Sequence, residues 1–344
     1  MSTPNPLKET QSTPPPPVSV KTFHIAGILT DVYGLDELPQ TCKSVSCLWL
    51  LHGRLQSKEV MAGVASACIN DWKLRRPSGN EVGLLAIAFD QRNHGSRLIN
   101  ALANEAWKGG NETHAQDMFS VYHGTALDTS FLIDHLGSYV LSGPNAPHID
   151  QHLILGISLG GHAAWQAFFN DPRVTAAIVI IGCPDYMRLM SDRARLSKRE
   201  TYTTSNGAGF FGSNDFPKAL ISSIQKSDPK GMLFGTSEIQ SNPPESEQRR
   251  FREIFDTKIK GKRLLVCSGA DDKLVPYHCA EPFMQFLKEA TSTWYKDGNV
   301  YVEDNVYPGV GHAYSPDMLR DTTRFVSDIL AGSSSIGGKG ASKM

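Results

Sequence analysis

Residues 153–161 read Leu-Ile-Leu-Gly-Ile-Ser-Leu-Gly-Gly, an apolar run that ends in the pattern Gly-x-Ser-x-Gly. The apolar residues before Ser158 predict a buried strand, and residues 162–169 continue as a helix. A serine in so sharp a turn between strand and helix has a strained backbone, which needs small residues two places before it and two places after it. Gly156 and Gly160 meet this need. The stretch therefore predicts a nucleophile elbow that presents Ser158.

Two polar residues downstream of this turn also follow predicted strands. The apolar run at 263–268 leads into Gly-Ala-Asp-Asp-Lys-Leu-Val-Pro at 269–276. A strand at 300–307 leads into Pro-Gly-Val-Gly-His, which ends at His312. Active residues of a parallel sheet gather at the carboxyl ends of its strands. Serine, aspartate and histidine thus occur in the chain order that accompanies a Gly-x-Ser-x-Gly elbow.

These features resemble the α/β-hydrolase superfamily, and the resemblance covers roughly residues 18–330. The stretch Asp-Gln-Arg-Asn-His-Gly-Ser-Arg at 90–97 is similar to the Asp-x-Arg-Gly-His-Gly-x-Ser turn after the fourth strand of many members, with Asn93 in place of the family glycine. Asparagine tolerates positive φ better than most residues, so the turn can still form. The resemblance implies an α/β fold with a mostly parallel twisted sheet, helices on both faces and an inserted helical cap.

The chemistry expected of these residues is acyl transfer. Ser158 is the predicted nucleophile and His312 the predicted base, because a neutral imidazole can take the serine proton and return it. A carboxylate must orient that imidazole. The family pattern Gly-x-x-Asp-x-x-Val-Pro selects Asp272 for this role, with the adjacent Asp271 and the remote Asp185 as alternatives.

An oxyanion hole requires two preorganised N–H groups. We expect them from the backbones of Leu159, directly after the nucleophile, and Arg54, which follows a strand at 46–51. The guanidinium of Arg54 has two interpretations. It either binds an anionic group of the substrate or is solvated or paired with an internal acid.

The sequence therefore predicts a serine hydrolase that cleaves a carboxylic ester or thioester through an acyl-enzyme on Ser158. An acyltransferase or a peptidase would carry the same residues, and an alternative of another class is a non-catalytic binding protein with a hydrolase fold. We expect a small ester or acyl substrate and neither a cofactor nor a metal. The apolar residues favoured as pocket candidates in the cap are Tyr186, Met187, Met190, Phe210 and Phe211.

Composition excludes several other classes of function. A net charge of −1 over 344 residues provides no field for nucleic acid or an acidic membrane surface. No stretch has the length of a transmembrane helix or the layout of a signal peptide, which predicts an intracellular protein. The six cysteines lack metal-ligand spacing and are expected to be reduced and mostly buried.

The chain divides into four predicted parts. They are a disordered, proline-rich arm at 1–17, a hydrolase core at 18–183 and 259–331, a cap insertion at 184–258 and a flexible tail at 332–344. Within the core, strands are expected at 18–29, 45–51, 82–89, 152–157 and 176–182, with helices at 58–74 and 117–141. Cap helices are expected at 185–196, 216–225 and 245–259.

The last three residues are a candidate address. Ser342, Lys343 and Met344 resemble the peroxisomal signal Ser-Lys-Leu, with one apolar residue exchanged for another. The expected location is therefore the peroxisome, by way of an import receptor that reads this tripeptide, or the cytoplasm.

Overall fold

A computed structural model describes residues 5–11 and 13–332. Its sheet has eight strands in the order β1-β2-β4-β3-β5-β6-β7-β8. The strands are β1 Val20–Ile25, β2 Ile28–Tyr33, β3 Ser44–Leu51, β4 Val82–Phe89, β5 His148–Ile157, β6 Val174–Ile180, β7 Arg263–Gly269 and β8 Tyr301–Tyr307. The first two strands pair antiparallel with each other, and β2 pairs antiparallel with β4. All pairs from β4 to β8 across the sheet are parallel.

Ten α-helices lie in the described part of the chain. They are α1 Ala62–Arg75, α2 His114–Val140, α3 Leu159–Asn170, α4 Tyr186–Leu196, α5 Glu200–Thr203, α6 Lys218–Ser227, α7 Pro229–Phe234, α8 Glu245–Lys258, α9 Tyr277–Ser292 and α10 Pro316–Leu330. Helices α1 and α10 cover one face of the sheet, and α2, α3 and α9 cover the other.

The central strands are buried on both faces because their sequences are almost continuously apolar. In β3, Trp49 packs into the core under α2 and α3, whereas its neighbours Leu48 and Leu50 pack into the core under α1 and α10. The predicted α/β class, parallel sheet and helices on both faces are confirmed. The carboxyl ends of β5, β7 and β8 consequently lie at one edge of the sheet.

The first predicted strand, at 18–29, is two strands in the structure. Ala26 and Gly27 form a two-residue turn with φ of 48° and 85°, and Ile25 pairs with Ile28 across it. Positive φ at both turn positions matches the twist of an antiparallel pair, so the chain reverses here. Because the residues on either side of the turn are apolar, the sequence pattern predicts one continuous strand.

The segment at 184–258 contains the five helices α4 to α8. Helix α4 packs against α9, and α7 and α8 pack against α3, whereas α5 contacts α4 and α6 contacts α7. The six cysteines are all free and buried. No helix in the described part of the chain is long and apolar enough to cross a membrane.

The described part of the N-terminal segment packs against the core. The carbonyl of Pro6 accepts a hydrogen bond of 2.7 Å from the backbone N–H of Tyr314, and Thr10 is buried. These contacts differ from the expectation of a disordered arm. The predicted tail from residue 333 onward, including the candidate address at Ser342, Lys343 and Met344, lies outside the described residues.

Candidate active site

Ser158 lies between β5 and α3 with φ of 55° and ψ of −111°. This left-handed conformation is held by a hydrogen bond of 2.9 Å from its N–H to the carbonyl of Ile180. A Cβ atom on Gly156 would overlap the carbonyl of Gly160, and one on Gly160 would overlap the carbonyl of Leu51. The two glycines therefore allow strand and helix to approach closely enough for the turn.

Three side chains form one hydrogen-bonded line at the carboxyl edge of the sheet. The Oγ atom of Ser158 lies 2.9 Å from Nε2 of His312, and Nδ1 of His312 lies 2.8 Å from Oδ2 of Asp272. The side chains of His312 and Asp272 are buried. If Nδ1 carries the proton, Nε2 is left as an acceptor for the serine hydroxyl. The line can thus move a proton from Ser158 to His312.

The carboxylate in this line is that of Asp272. Its Oδ1 atom accepts hydrogen bonds of 2.8 Å and 3.0 Å from the N–H groups of Leu274 and Val275, which leaves Oδ2 for His312. Burial alone would raise the pKa of Asp272, but the hydrogen bond and charge of His312, with the two N–H groups, outweigh it and hold the pKa below its usual value. The carboxylate therefore remains ionised opposite the imidazole.

The two alternative acids lie elsewhere. The residue Asp271 is exposed, and its N–H bonds the carbonyl of Val310. Asp185 is buried at the start of α4, where Oδ1 accepts a hydrogen bond of 2.9 Å from the N–H of Arg188 and caps the helix. Neither forms a hydrogen bond or ion pair with His312 in the described structure.

The expected oxyanion donors lie beside the nucleophile. Leu159 is the first residue of α3, where backbone N–H groups have no partner within the helix. Arg54 lines the same cavity as Ser158 and His312. The loop after β3, which contains Arg54, is held in place through His52. The carbonyl of His52 accepts a hydrogen bond of 3.1 Å from the N–H of Gly160.

The turn at 90–97 also holds the loop after β3 in place. One carboxylate oxygen of Asp90 accepts the N–H and hydroxyl of Ser96, and the other accepts the N–H of Lys58. Asn93 has φ of 58°, as expected where the family has glycine. The N–H of Gln91 in turn donates 3.1 Å to Nε2 of His52. The turn thus fixes His52 behind the site.

Comparisons with known proteins agree on the architecture. No protein-family model and no curated protein matches the sequence. Among solved structures, TT1662 from Thermus thermophilus has a TM-score of 0.51 at 16% identity over 91% of this chain and 98% of its own. Dipeptidyl peptidase 4 of Porphyromonas gingivalis has a TM-score of 0.50 at 12% identity over 91% of this chain and 35% of its own.

This chain has the α/β-hydrolase fold. Within that fold, a cavity of about 20 Å³ lies in front of Ser158. It is lined by Arg54, Met118, Ser158, Leu159, Arg193, Leu274, Val275 and His312. Only Arg193, from α4, belongs to the segment at 184–258. Arg193 and Met118 have no sequence signal for this position, because helical periodicity does not show which loop a helical side chain faces.

The apolar residues expected to line the pocket lie elsewhere. Tyr186, Met190 and Phe210 are buried in the core. Met187 and Phe211 line a different and larger cavity, of about 320 Å³. None of the five lines the cavity that contains Ser158 in the described structure.

That larger cavity also contains the one group of metal-ligand atoms found among the described residues, from Asp192, His278 and Cys279. The carboxylate of Asp192 is already paired with Arg195 at 2.6 Å. Burial raises the pKa of the Cys279 thiol to about 12, which keeps it protonated. These two facts disfavour cation binding, because a metal needs free carboxylate and thiolate electron pairs.

Proposed function

We propose that the protein is a serine hydrolase that cleaves a carboxylic ester or thioester, with Ser158 as nucleophile. The observation that carries this proposal is the line of hydrogen bonds of 2.9 Å and 2.8 Å that joins Ser158, His312 and Asp272. A serine hydroxyl is a poor nucleophile near neutral pH, and a base within hydrogen-bond reach activates it. The fold supports the proposal because it presents the serine on a strained turn.

The reaction follows from these contacts. The Oγ atom of Ser158 attacks the acyl carbon while its proton passes to Nε2 of His312, and Asp272 stabilises the imidazolium that forms. The C–O or C–S bond to the leaving group then breaks, and His312 returns the proton to that group. Water repeats the sequence on the acyl-enzyme, which releases the acid and restores Ser158.

The oxyanion formed on attack needs donors aimed at its position. We assign this role to the backbone N–H groups of Leu159 and Arg54. The first lies at the amino end of α3, where the helix dipole favours negative charge. Each such donor typically contributes about 3 kcal/mol to the transition state.

We further propose that the segment at 184–258 acts as a cap. A cavity of about 20 Å³ holds roughly one water molecule, so an acyl substrate requires its lining to move. The contribution of Arg193 from α4 to this lining supports a role for the segment in substrate access. The peroxisomal address at Ser342, Lys343 and Met344 stays a prediction from the sequence.

The proposal is tested by Ser158→Ala with a fluorophosphonate probe and a panel of p-nitrophenyl esters and thioesters. We expect the variant to lose labelling and at least about a thousandfold in turnover, since the nucleophile is absent. The matched control is Ser66→Ala, which removes a buried hydroxyl on α1 and should retain labelling. Full labelling of Ser158→Ala would contradict the assignment.

A further inference from the structure

Arg193 projects from α4 into the cavity that contains the nucleophile. Its Nη1 atom lies 3.0 Å from Nε2 of His114 and 3.0 Å from the sulfur of Met118. Its Nη2 atom donates a hydrogen bond of 2.9 Å to the carbonyl of Leu274. A guanidinium with a permanent positive charge thus borders the space that a substrate of Ser158 must occupy.

The hydrogen-bond partners of Arg193 in the described structure are all neutral. Nδ1 of His114 lies 2.9 Å from the carbonyl of Glu105, so that nitrogen carries the proton and Nε2 accepts from Arg193. Burial, together with the positive charges of Arg193 and Arg54, holds the pKa of His114 well below its usual value. The imidazole is therefore an uncharged acceptor.

Two other partly buried arginines, by contrast, have carboxylate partners. Arg173 lies 2.7 Å from Asp171, and Arg199 lies 2.7 Å from Asp215. In the described part of the chain no carboxylate lies within 4.0 Å of the guanidinium nitrogens of Arg193. A buried charge without a counter-ion is costly, and an anionic ligand would offset that cost.

A second guanidinium increases the positive charge at the same cavity. Arg54 donates a hydrogen bond of 2.7 Å from Nη1 to the carbonyl of Asn104. Burial and then the charge of Arg193 lower the pKa of Arg54 to about 10, so both groups are charged at neutral pH. The nearby carboxylate of Asp272 is already engaged by His312 and two backbone N–H groups.

We propose that the substrate of Ser158 carries a carboxylate close to the scissile carbonyl, and that Arg193, with Arg54, binds it. This inference rests on the proposed hydrolase function. The planar guanidinium matches a carboxylate with two parallel hydrogen bonds, which fixes the orientation of the ligand as well as its charge. Arg193 determines substrate preference in this scheme, and the proton transfers remain with Ser158 and His312.

The test compares charged and neutral esters that are otherwise alike. The mono-p-nitrophenyl ester of glutaric acid and its methyl ester place the carboxylate, or its neutral equivalent, on the acyl side. The compounds p-acetoxybenzoate and methyl p-acetoxybenzoate place it on the leaving-group side. We expect the wild-type protein to prefer the anionic member of at least one pair by about tenfold or more in kcat/KM.

Variants of Arg193 distinguish two roles of this side chain. One is binding of the substrate carboxylate, and the other is a purely structural clamp on the loop of Leu274. In Arg193→Gln, the ratio of anionic to neutral kcat/KM should fall by about tenfold or more, and Arg193→Lys should recover part of the ratio by keeping the charge. The matched control is Arg195→Gln, on the exposed side of α4, which should leave the ratio unchanged. Thermal unfolding of each variant checks that it is folded.

Two results would overturn the inference while leaving the hydrolase proposal intact. One is a wild-type protein that takes up the fluorophosphonate and hydrolyses neutral esters, yet prefers the anionic member of neither pair. The other is an equal loss for charged and neutral esters in Arg193→Gln, which is the behaviour of a clamp. Absence of labelling in the wild-type protein would instead contradict the proposed function itself.

Discussion

At the scale of single residues, Asp272 divides its two oxygens between two tasks. Oδ1 accepts the N–H groups of Leu274 and Val275, which holds the carboxylate still, and Oδ2 faces Nδ1 of His312. The fixed carboxylate determines which imidazole nitrogen carries the proton. That choice decides whether Nε2 can accept from Ser158.

Asp272→Asn should therefore impair turnover with little change in structure. The amide oxygen can still accept the two backbone N–H groups, but the NH2 group then faces His312 and favours the tautomer protonated at Nε2. We expect kcat to fall by about three to four orders of magnitude. The control is Asp271→Asn at the exposed neighbouring position, where ester turnover should stay within about twofold. The reverse ranking of the two variants would contradict the assignment of Asp272.

The role of a single residue could be predicted from the sequence where its neighbours in the chain determine that role. The hydrogen bond between Asp272 and His312 agrees with the pattern around that acid, because turn residues at fixed spacing determine which carboxylate faces inward. Arg193 could not be found in the same way. Its partners His114, Met118 and Leu274 come from distant parts of the chain, and only the tertiary fold brings them together.

At the scale of elements, the close approach of β5, α3 and the end of β3 depends on two glycines. Gly160 stands where any Cβ would overlap the backbone carbonyl of Leu51, and backbone cannot yield as a flexible side chain can. The contact between α3 and β3 therefore restricts the residues allowed at this turn as strictly as the strained conformation of Ser158 does.

Gly160→Ala should separate α3 from β3 and displace Ser158. We expect the free energy of unfolding to fall by about 2 kcal/mol or more, together with loss of fluorophosphonate labelling. The matched control is Gly137→Ala in α2, where a new Cβ makes an ordinary 3.6 Å contact with Ile149. That change should stabilise the protein by about 1 kcal/mol through helix propensity and retain labelling. Chemical denaturation of both variants provides the comparison.

Strands and helices with continuous apolar patterns were predictable, and conformations set by single backbone angles were not. The almost fully buried β3 and β6 are predominantly apolar in the sequence. The chain reversal at Ala26 depends on a positive φ, which alanine seldom adopts. The residue preferences of the sequence therefore do not predict this turn. The early turn of the chain thus appears only in the pairing of β1 with β2.

At the scale of the whole molecule, several histidines are buried in uncharged form, His114 beside the active site among them. Burial lowers the pKa of His52, His152 and His162 to about 4 each. Each imidazole also takes part in the structure as an uncharged group. For example, Nδ1 of His152 accepts a hydrogen bond of 3.2 Å from the indole N–H of Trp49. Protonation would place a second donor against that N–H and a charge in the core.

The protein should consequently lose stability as pH falls from about 6.5 toward 4. In this window the unfolded chain binds protons at these histidines and the folded chain does not, so acid favours unfolding; above pH 6.5 both states are neutral and the effect vanishes. A pKa difference of this size corresponds to on the order of 3 kcal/mol for each histidine by pH 4. Together the three approach the total stability of a typical domain.

His152→Gln tests this linkage at one site. Glutamine can still accept from Trp49 but does not titrate, so the slope of unfolding free energy against pH near pH 5 should decrease by up to about 1.4 kcal/mol per pH unit. The control is His148→Gln at the exposed start of β5, which should leave the slope unchanged. Urea denaturation at a series of pH values measures both slopes. Equal slopes for His152→Gln and the wild-type protein would show that the buried imidazole takes up its proton without unfolding the chain.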